Sequence, residues 1–386
     1  MKKAIVLGAA MLLAGAAAFA ADEKKGPAIK FSGKLRTGYV FDFAKDKSAT
    51  AGDYSSTNWK GNGGRLNFHV TDAEGAWDLN YKNIAGDLDS DDKEKITATV
   101  NFDKLMDLGD FKVKMEIGNK TDDTALFAYA DRSGDHLGRV KLVGDWITAL
   151  QVASGDLTVR AAVDPVYNDA PSATKNHAGF AASASYKLAD YGLNVAADYA
   201  YHGQIEVADG KNDVAKIVTQ HVIGVSANFD LGKVLKADGY KLGLSGVFNY
   251  GIGNDKSDRG YYSGTSQVLE DNYMVASAEL SGGVDLVDGF VEYSFVKSDA
   301  DDADAIQHLY AQANLNMFED KGVGLDVYGK IGNFDDADKT WAFGGDASYT
   351  LKAVEFGLNG EVYAFTDTAG DKSVGFSVTP KMTIVW

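Results

Sequence analysis

The stretch S-V-G-F-S-V-T-P-K-M-T-I-V-W, Ser373 to Trp386, decides the fold. Val374, Phe376, Val378, Met382, Ile384 and Trp386 are apolar and share one parity, while Ser373, Ser377, Thr379, Lys381 and Thr383 take the other. Alternation of period two makes a strand with one apolar and one polar face. The stretch ends on an aromatic residue, where the terminus of a soluble domain usually frays. A terminus that is itself a strand end is expected of a barrel whose last strand closes on its first. Pro380 removes one ladder donor and is expected to mark a bulge.

The same parity runs back through the chain. Ile29, Phe31, Leu35, Tyr39, Phe41 and Phe43 alternate with Lys30, Ser32, Lys34, Arg36 and Asp42. Phe111, Val113, Met115 and Ile117 alternate with Lys112, Lys114 and Glu116, and Leu157, Val159, Ala161 and Val163 follow the turn at Ser154-Gly155-Asp156. The second half repeats the pattern, with residues 271–281 ambiguous. About eighteen strands are expected on this alternation. Tight joints at 72–75, 154–156, 189–192, 282–285 and 319–322 alternate with longer acidic connections at 44–63, 85–94, 165–176, 253–270, 298–305 and 333–339. Short turns on one rim and long loops on the other is the plan of a transmembrane barrel, and an even strand number puts both termini on the short-turn side. A soluble β-sandwich also alternates, but its strands are shorter and its inner face meets a second sheet. The expected fold is therefore all-β: a transmembrane antiparallel barrel of 16–18 strands, 18 favoured, or 20 if Leu126 to Arg132 adds a strand.

Composition fits. Cysteine is absent, prolines number 4, and glycine reaches 43 beside 19 Tyr and 19 Phe, which suits many turns and aromatic strand ends. A closed hydrogen-bonded barrel holds an exported chain without disulfides. Met1-Lys2-Lys3, the uncharged Ala4 to Ala17 and the small residues Ala18-Phe19-Ala20 read as a secretory signal peptide cut before Ala21. The organisation expected is a signal peptide at 1–20, a short periplasmic segment at 21–28 and a barrel at 29–386. Loss of Lys2 and Lys3 leaves 36 of the 38 basic residues against 55 acidic ones, a mature charge of −19. So acidic a chain is not expected to bind nucleic acid.

On the signal peptide, the strand parity, the loop asymmetry and the terminal Trp386, the chain resembles the Gram-negative outer-membrane porins over its whole mature length. The resemblance implies an outer-membrane location, lipid contact, passage of small hydrophilic solutes and ions, a homotrimer, and no cofactor. It implies that Phe376 to Trp386 is read by the barrel-assembly machinery. It also implies that the third long connection, here 119–138, folds into the channel.

Parity places Lys34, Arg36, Arg65, Lys112, Lys114, Lys141 and Arg160 in the lumen, all in the first half of the barrel. The 119–138 connection carries Asp122, Asp123, Asp131 and Asp135. An acidic loop facing a basic wall sets a transverse field across the narrowest point. The alternative is an external, solvated loop, with the basic residues paired to nearby carboxylates. Asp87, Asp89 and Asp91 begin like a calcium loop, but Asp92 and Ala98 stand where Gly and the bidentate Glu belong, so a solvated face is the better reading. The six histidines show no metal-ligand spacing and no G-x-S-x-G occurs, so neither a metal site nor an enzyme is expected. His221 has lipid-facing parity, which a subunit contact or a local bulge would relieve. Trp77, Trp341 and Trp386 suit interfacial girdles. The lumen-parity aromatics Tyr310, Tyr328, Tyr363 and Phe365 are few, which favours a non-specific pore over a substrate-specific channel. An adhesive or structural surface barrel is the other class open.

Overall fold

Nineteen strand segments form one antiparallel sheet in the computed structural model. It describes residues 27–44, 50–53, 63–82, 95–118, 147–167, 177–208, 215–236, 239–252, 272–298, 305–332, 340–366 and 372–385. The first six strands are β1 (Ala28–Ala44), β2 (Thr50–Asp53), β3 (Gly63–Thr71), β4 (Trp77–Lys82), β5 (Lys95–Asn101) and β6 (Phe111–Gly118). The middle of the wall is β7 (Ile147–Ser154), β8 (Leu157–Tyr167), β9 (His177–Leu188), β10 (Leu193–Ala208), β11 (Ala215–Asp230), β12 (Lys241–Ile252) and β13 (Tyr273–Val284). It ends with β14 (Val287–Ser298), β15 (Ile306–Leu315), β16 (Val323–Gly332), β17 (Thr340–Leu351), β18 (Val354–Thr366) and β19 (Lys372–Val385).

The segments occupy eighteen lanes. β1 pairs with β3 over Ala28 to Arg36 and, on the same side, with β2 over Tyr39 to Asp42. β2 therefore extends the β3 lane. On its other side β1 pairs with β19, from Lys34↔Val385 to Ala44↔Gly375, and the sheet closes. Closure leaves no edge whose backbone groups would stand unpaired in hydrocarbon.

Pro380 makes no bulge. β19 pairs with β18 through Leu358↔Pro380 in continuous register, and toward β1 the register is the same on either side of the proline. The ladder to β1 skips two pairings, between Gly38↔Lys381 and Phe41↔Val378, beside the residue that lacks an N–H. The parity left ambiguous at 271–281 also resolves. Leu280 is 51% exposed on the outer face, while Val275, Ser277 and Glu279 are buried on the inner one. The hairpin after β13 turns at Asp285-Leu286, because Gly282 and Gly283 still pair with Gly289 and Asp288.

Large apolar side chains are exposed round the outer face. They include Phe31, Tyr39, Phe41, Val159, Phe180, Ile223, Phe248, Val291, Phe343, Leu358 and Phe376. Exposed apolar surface on this scale suits lipid, not water. No helix among the described residues is long and apolar enough to cross a membrane, so the strands do the crossing. Trp341, 5.7 Å from Phe343, lies at the long-loop end of β17, as a girdle residue would. Trp77 is buried instead of facing the interface.

Short connections tie the other rim. Gly192, at φ 60°, closes the 3-10 turn Ala189–Tyr191. Its N–H donates to the Ala189 carbonyl at 3.1 Å, and its own carbonyl accepts from the Asp230 N–H at 2.8 Å. An added Cβ would lie 2.9 Å from the Asp230 carbonyl oxygen. The Gly192→Val variant therefore meets both left-handed strain and a backbone clash. It is expected to lose about 1–3 kcal/mol, read as a lower urea midpoint for conversion of the compact to the unfolded band on electrophoresis.

Candidate functional site

Inward-facing residues on neighbouring strands form rows, because antiparallel partners lie opposite one another. One row runs Lys114, Gln151, Arg160, Ser183 and Asp198 across β6 to β10. Lys114 and Arg160 converge on one carboxylate. Lys114 Nζ lies 3.3 Å from Glu116 Oε1, and Arg160 Nη2 lies 2.7 Å from Glu116 Oε2. Arg160 is buried, whereas the Lys114 side chain keeps 35% exposure. Lys112 stands exposed further along β6, and Lys34 is half-buried on β1 opposite Arg65. The backbones of Arg36 and Arg65 lie in β1 and β3; their side chains, Lys141, the aspartates at 122, 123, 131 and 135, and Trp386 lie outside the described residues. Phe376 faces outward from β19, 6.3 Å from Phe43.

The lumen is unevenly filled. Ile147, Ala149, Ala162, Ala181, Ala200, Val222, Val275 and Val296 point inward and are buried together. Asn249, Glu279 and Glu292 are 1%, 2% and 2% exposed on the same sector. Small inward side chains are buried elsewhere on the wall as well: Ala342 on β17 and Thr379 and Thr383 on β19 are 2%, 4% and 1% exposed. Among the inward polar groups His69, half-exposed and 3.7 Å from Asp78, and Lys330 on β16, 50% exposed, stand more open.

Opposite the basic strands stands an acidic wall. Glu279, Asp288, Glu292, Asp326, Asp346 and Glu361 face inward from β13, β14, β16, β17 and β18 against Lys330, with Lys381 reaching Asp346 from β19 at 2.6 Å. A hydrogen-bonded chain joins two of them, Asp346 and Glu361. Asn359 Nδ2 donates to Asp346 Oδ2 at 2.9 Å and to the Tyr328 hydroxyl at 3.1 Å; that hydroxyl donates to Glu361 Oε2 at 2.8 Å. The Tyr363 hydroxyl donates to the Asp42 carboxylate on β1. Tyr328 lies over Gly344 and Tyr363 over Gly375, where an added Cβ would come within 2.6 Å and 2.5 Å of the rings. Glycine beneath each ring lets it lie flat on the wall and keeps the lumen wide. Parity alone places these carboxylates inward, but their chain neighbours give no hint that they face the basic strands.

His221 finds one polar partner within its own chain: its Nδ1 lies 2.8 Å from the Tyr199 hydroxyl, and its ring lies 5.0 Å from Tyr201. Among the described residues no cluster of three or more His, Cys, Asp or Glu could hold a metal ion.

No family model and no curated protein matches the sequence. Solved structures do. OccK8 (OprE) of Pseudomonas aeruginosa aligns at TM-score 0.51 and 13% identity, over 93% of this chain and 98% of that one. OccK2 (OpdF) of the same organism, determined in complex with glucuronate, aligns at TM-score 0.51 and 12% identity over 92% and 98%. OmpT, an outer membrane protein of Vibrio cholerae, aligns at TM-score 0.50 and 12% identity over 94% and 99%. At these identities the likeness is one of fold. With the apolar outer belt and the charged inner wall, that fold is a porin-type outer-membrane β-barrel.

The shared carboxylate gives a direct test. Glu116→Gln removes the carboxylate charge that the buried Arg160 meets at 2.7 Å, and breaking such a pair costs about 3–5 kcal/mol. The variant is expected to show a lower thermal midpoint for the folded band. Arg160→Met with Glu116→Gln, which removes both charges, should recover most of the loss.

Proposed function

We propose that this barrel is an outer-membrane channel through which small hydrophilic solutes and ions diffuse passively, not an enzyme. The observation that carries the reading is the division of the lumen wall, basic on β1 to β8 and acidic on β13 to β18. Opposed fixed charges across an aqueous gap orient dipolar solutes and admit ions of both signs. The connection from Gly118 to Ile147 narrows the passage. Both of its flanking residues are buried on the lumen side, which supports this placement. Asp122, Asp123, Asp131 and Asp135 then face Arg36, Lys114 and Arg160, with Lys34, Arg65, Lys112 and Lys141 along the basic wall. The chain is exported by residues 1–20, and Phe376 to Trp386 presents the assembly machinery with its signal.

Acidic loops at the mouth concentrate cations, so weak cation selectivity is expected. It should fall toward 1 M salt, where screening shortens to about 3 Å. In planar bilayers under a KCl gradient, the reversal potential should have the potassium sign. Changing the four loop aspartates to asparagine should move it toward the chloride side. Strong anion selectivity in the unmodified protein, or an unmoved potential in the variant, would overturn this constriction.

The assembly is a homotrimer, on the resemblance to general porins. Native mass spectrometry from detergent should give three chains per particle, and a single-chain mass refutes it. A second reading, a channel with substrate preference, is favoured by one feature: Phe290, Tyr310 and Tyr328 lie side by side on the inner wall.

A further inference from the structure

We propose that the short turns after β9, β11, β13, β15 and β17 rest on the phospholipid leaflet at their end of the barrel and bind its phosphate groups, with a preference for anionic phospholipid. This site lies on the rim and is independent of what passes through the lumen. In barrels of this class the short turns form the periplasmic rim.

Apolar side chains gather on this arc. Tyr191 is 66% exposed, Leu235 63%, Tyr240 65% and Leu286 59%, and Val234 and Phe318 are exposed as well. The turns adjoin one another. Lys233 Nζ donates to the Ala189 carbonyl, which ties the short helix Leu231–Leu235 to the turn that carries Tyr191. An added Cβ on Gly232 would lie 3.0 Å from the Tyr240 carbonyl oxygen, and the Asn316 N–H donates to the Leu286 carbonyl at 2.8 Å. The arc continues the apolar belt of the outer face, through Leu244 and Leu280. Exposed apolar groups of this kind are a liability in water, whereas at a bilayer surface they enter the boundary between head groups and acyl chains. A leaflet meets such an arc along its whole length.

Lysines stand among the apolar groups. Residues 231–241 hold Lys233, Lys236 and Lys241 against one aspartate, whereas 103–110 hold one lysine and three aspartates. Lys236 and Lys352 have φ 50° and 56°, and among the described residues they are the two non-glycine residues with positive φ. That region of backbone space favours glycine. Each lysine instead follows an exposed leucine, Leu235 or Leu351, and sets an ammonium beside an apolar anchor. Lysine stems cover apolar surface while the charged head reaches the phosphate level, and anionic lipid attracts it there. Asp190, Asp230 and Asp285 share the rim; Asp230 is held by the helix, accepting from the Lys233 N–H at 3.0 Å.

The chain has no cysteine, so a single introduced one can be labelled without ambiguity. In vesicles of phosphatidylglycerol and phosphatidylcholine, a dye on Leu235→Cys should be quenched by lipid spin-labelled near the head group about twice as strongly as the same dye on Glu74→Cys, in the acidic turn at 72–75. Native mass spectrometry from detergent then compares bound phosphatidylglycerol with bound phosphatidylcholine. Lys236→Gly with Lys241→Gln should lower the phosphatidylglycerol affinity about fivefold for each lysine removed and leave that for phosphatidylcholine unchanged. Lys236→Gly relieves the left-handed strain, so the thermal midpoint of the folded band should not fall and misfolding does not account for the loss. Equal quenching at the two labels, or a phosphatidylglycerol preference unmoved by the lysine changes, overturns the proposal and leaves the channel reading intact. A dye on Leu235→Cys that stays in water assigns this rim to a periplasmic protein or to no partner, and overturns it likewise.

Discussion

Closure of the ladder between β1 and β19 is the interaction on which everything else depends. In hydrocarbon an unpaired backbone N–H or C=O has no water to turn to, and each such group costs several kcal/mol. A sheet that ended at β1 on one side and β19 on the other would expose two full rows of them. Pairing Lys34 through Ala44 with Gly375 through Val385 removes both rows at once. Pro380 shows how far the constraint reaches. It sits in the closing strand, costs a donor, and is tolerated because the register continues unshifted on either side of it.

Closure also fixes what the lumen can be. Once the register is set, each inward residue has a defined partner on the next strand, and rows of side chains run obliquely round the wall. Residues far apart in sequence become neighbours: Glu116 with Arg160, Tyr363 with Asp42, and Tyr328 with Glu361. The charge separation across the lumen follows from the same geometry. Basic strands are early in the chain and acidic ones late; in the eighteen-lane cylinder β6 to β8 stand across from β15 to β17, while closure brings β18 close to β1, where Tyr363 meets Asp42. Glycine acts at chosen points of this wall. Gly344 and Gly375 accept flat tyrosine rings where any Cβ would push them into the channel.

Uneven packing gives the lumen a direction as well as a charge. From β7 to β14 small and apolar inward residues are buried together, whereas the adjoining inward aromatics and many of the charged groups stand on β14 to β18.

Sequence by itself determined the strand class, the two faces and the alternation of short and long connections. Those depend on local periodicity, which survives in one dimension: Phe31, Tyr39 and Phe41 could be assigned to lipid, and Lys114 and Arg160 to the lumen, from parity alone. Sequence named Tyr310, Tyr328 and Tyr363 as lumen-facing but missed Phe290, and it drew a weak conclusion from their number, since a count says nothing about clustering. Tertiary structure decided which inward residues meet. Glu116 became a shared counter-ion, and three aromatics became one surface beside Lys330 and Glu361. His221 found Tyr199 within its own chain, and β2 joined the lane of β3 instead of adding a nineteenth. The physical reason is that register and closure, not propensity, set distances between strands, and neither is encoded within any single strand.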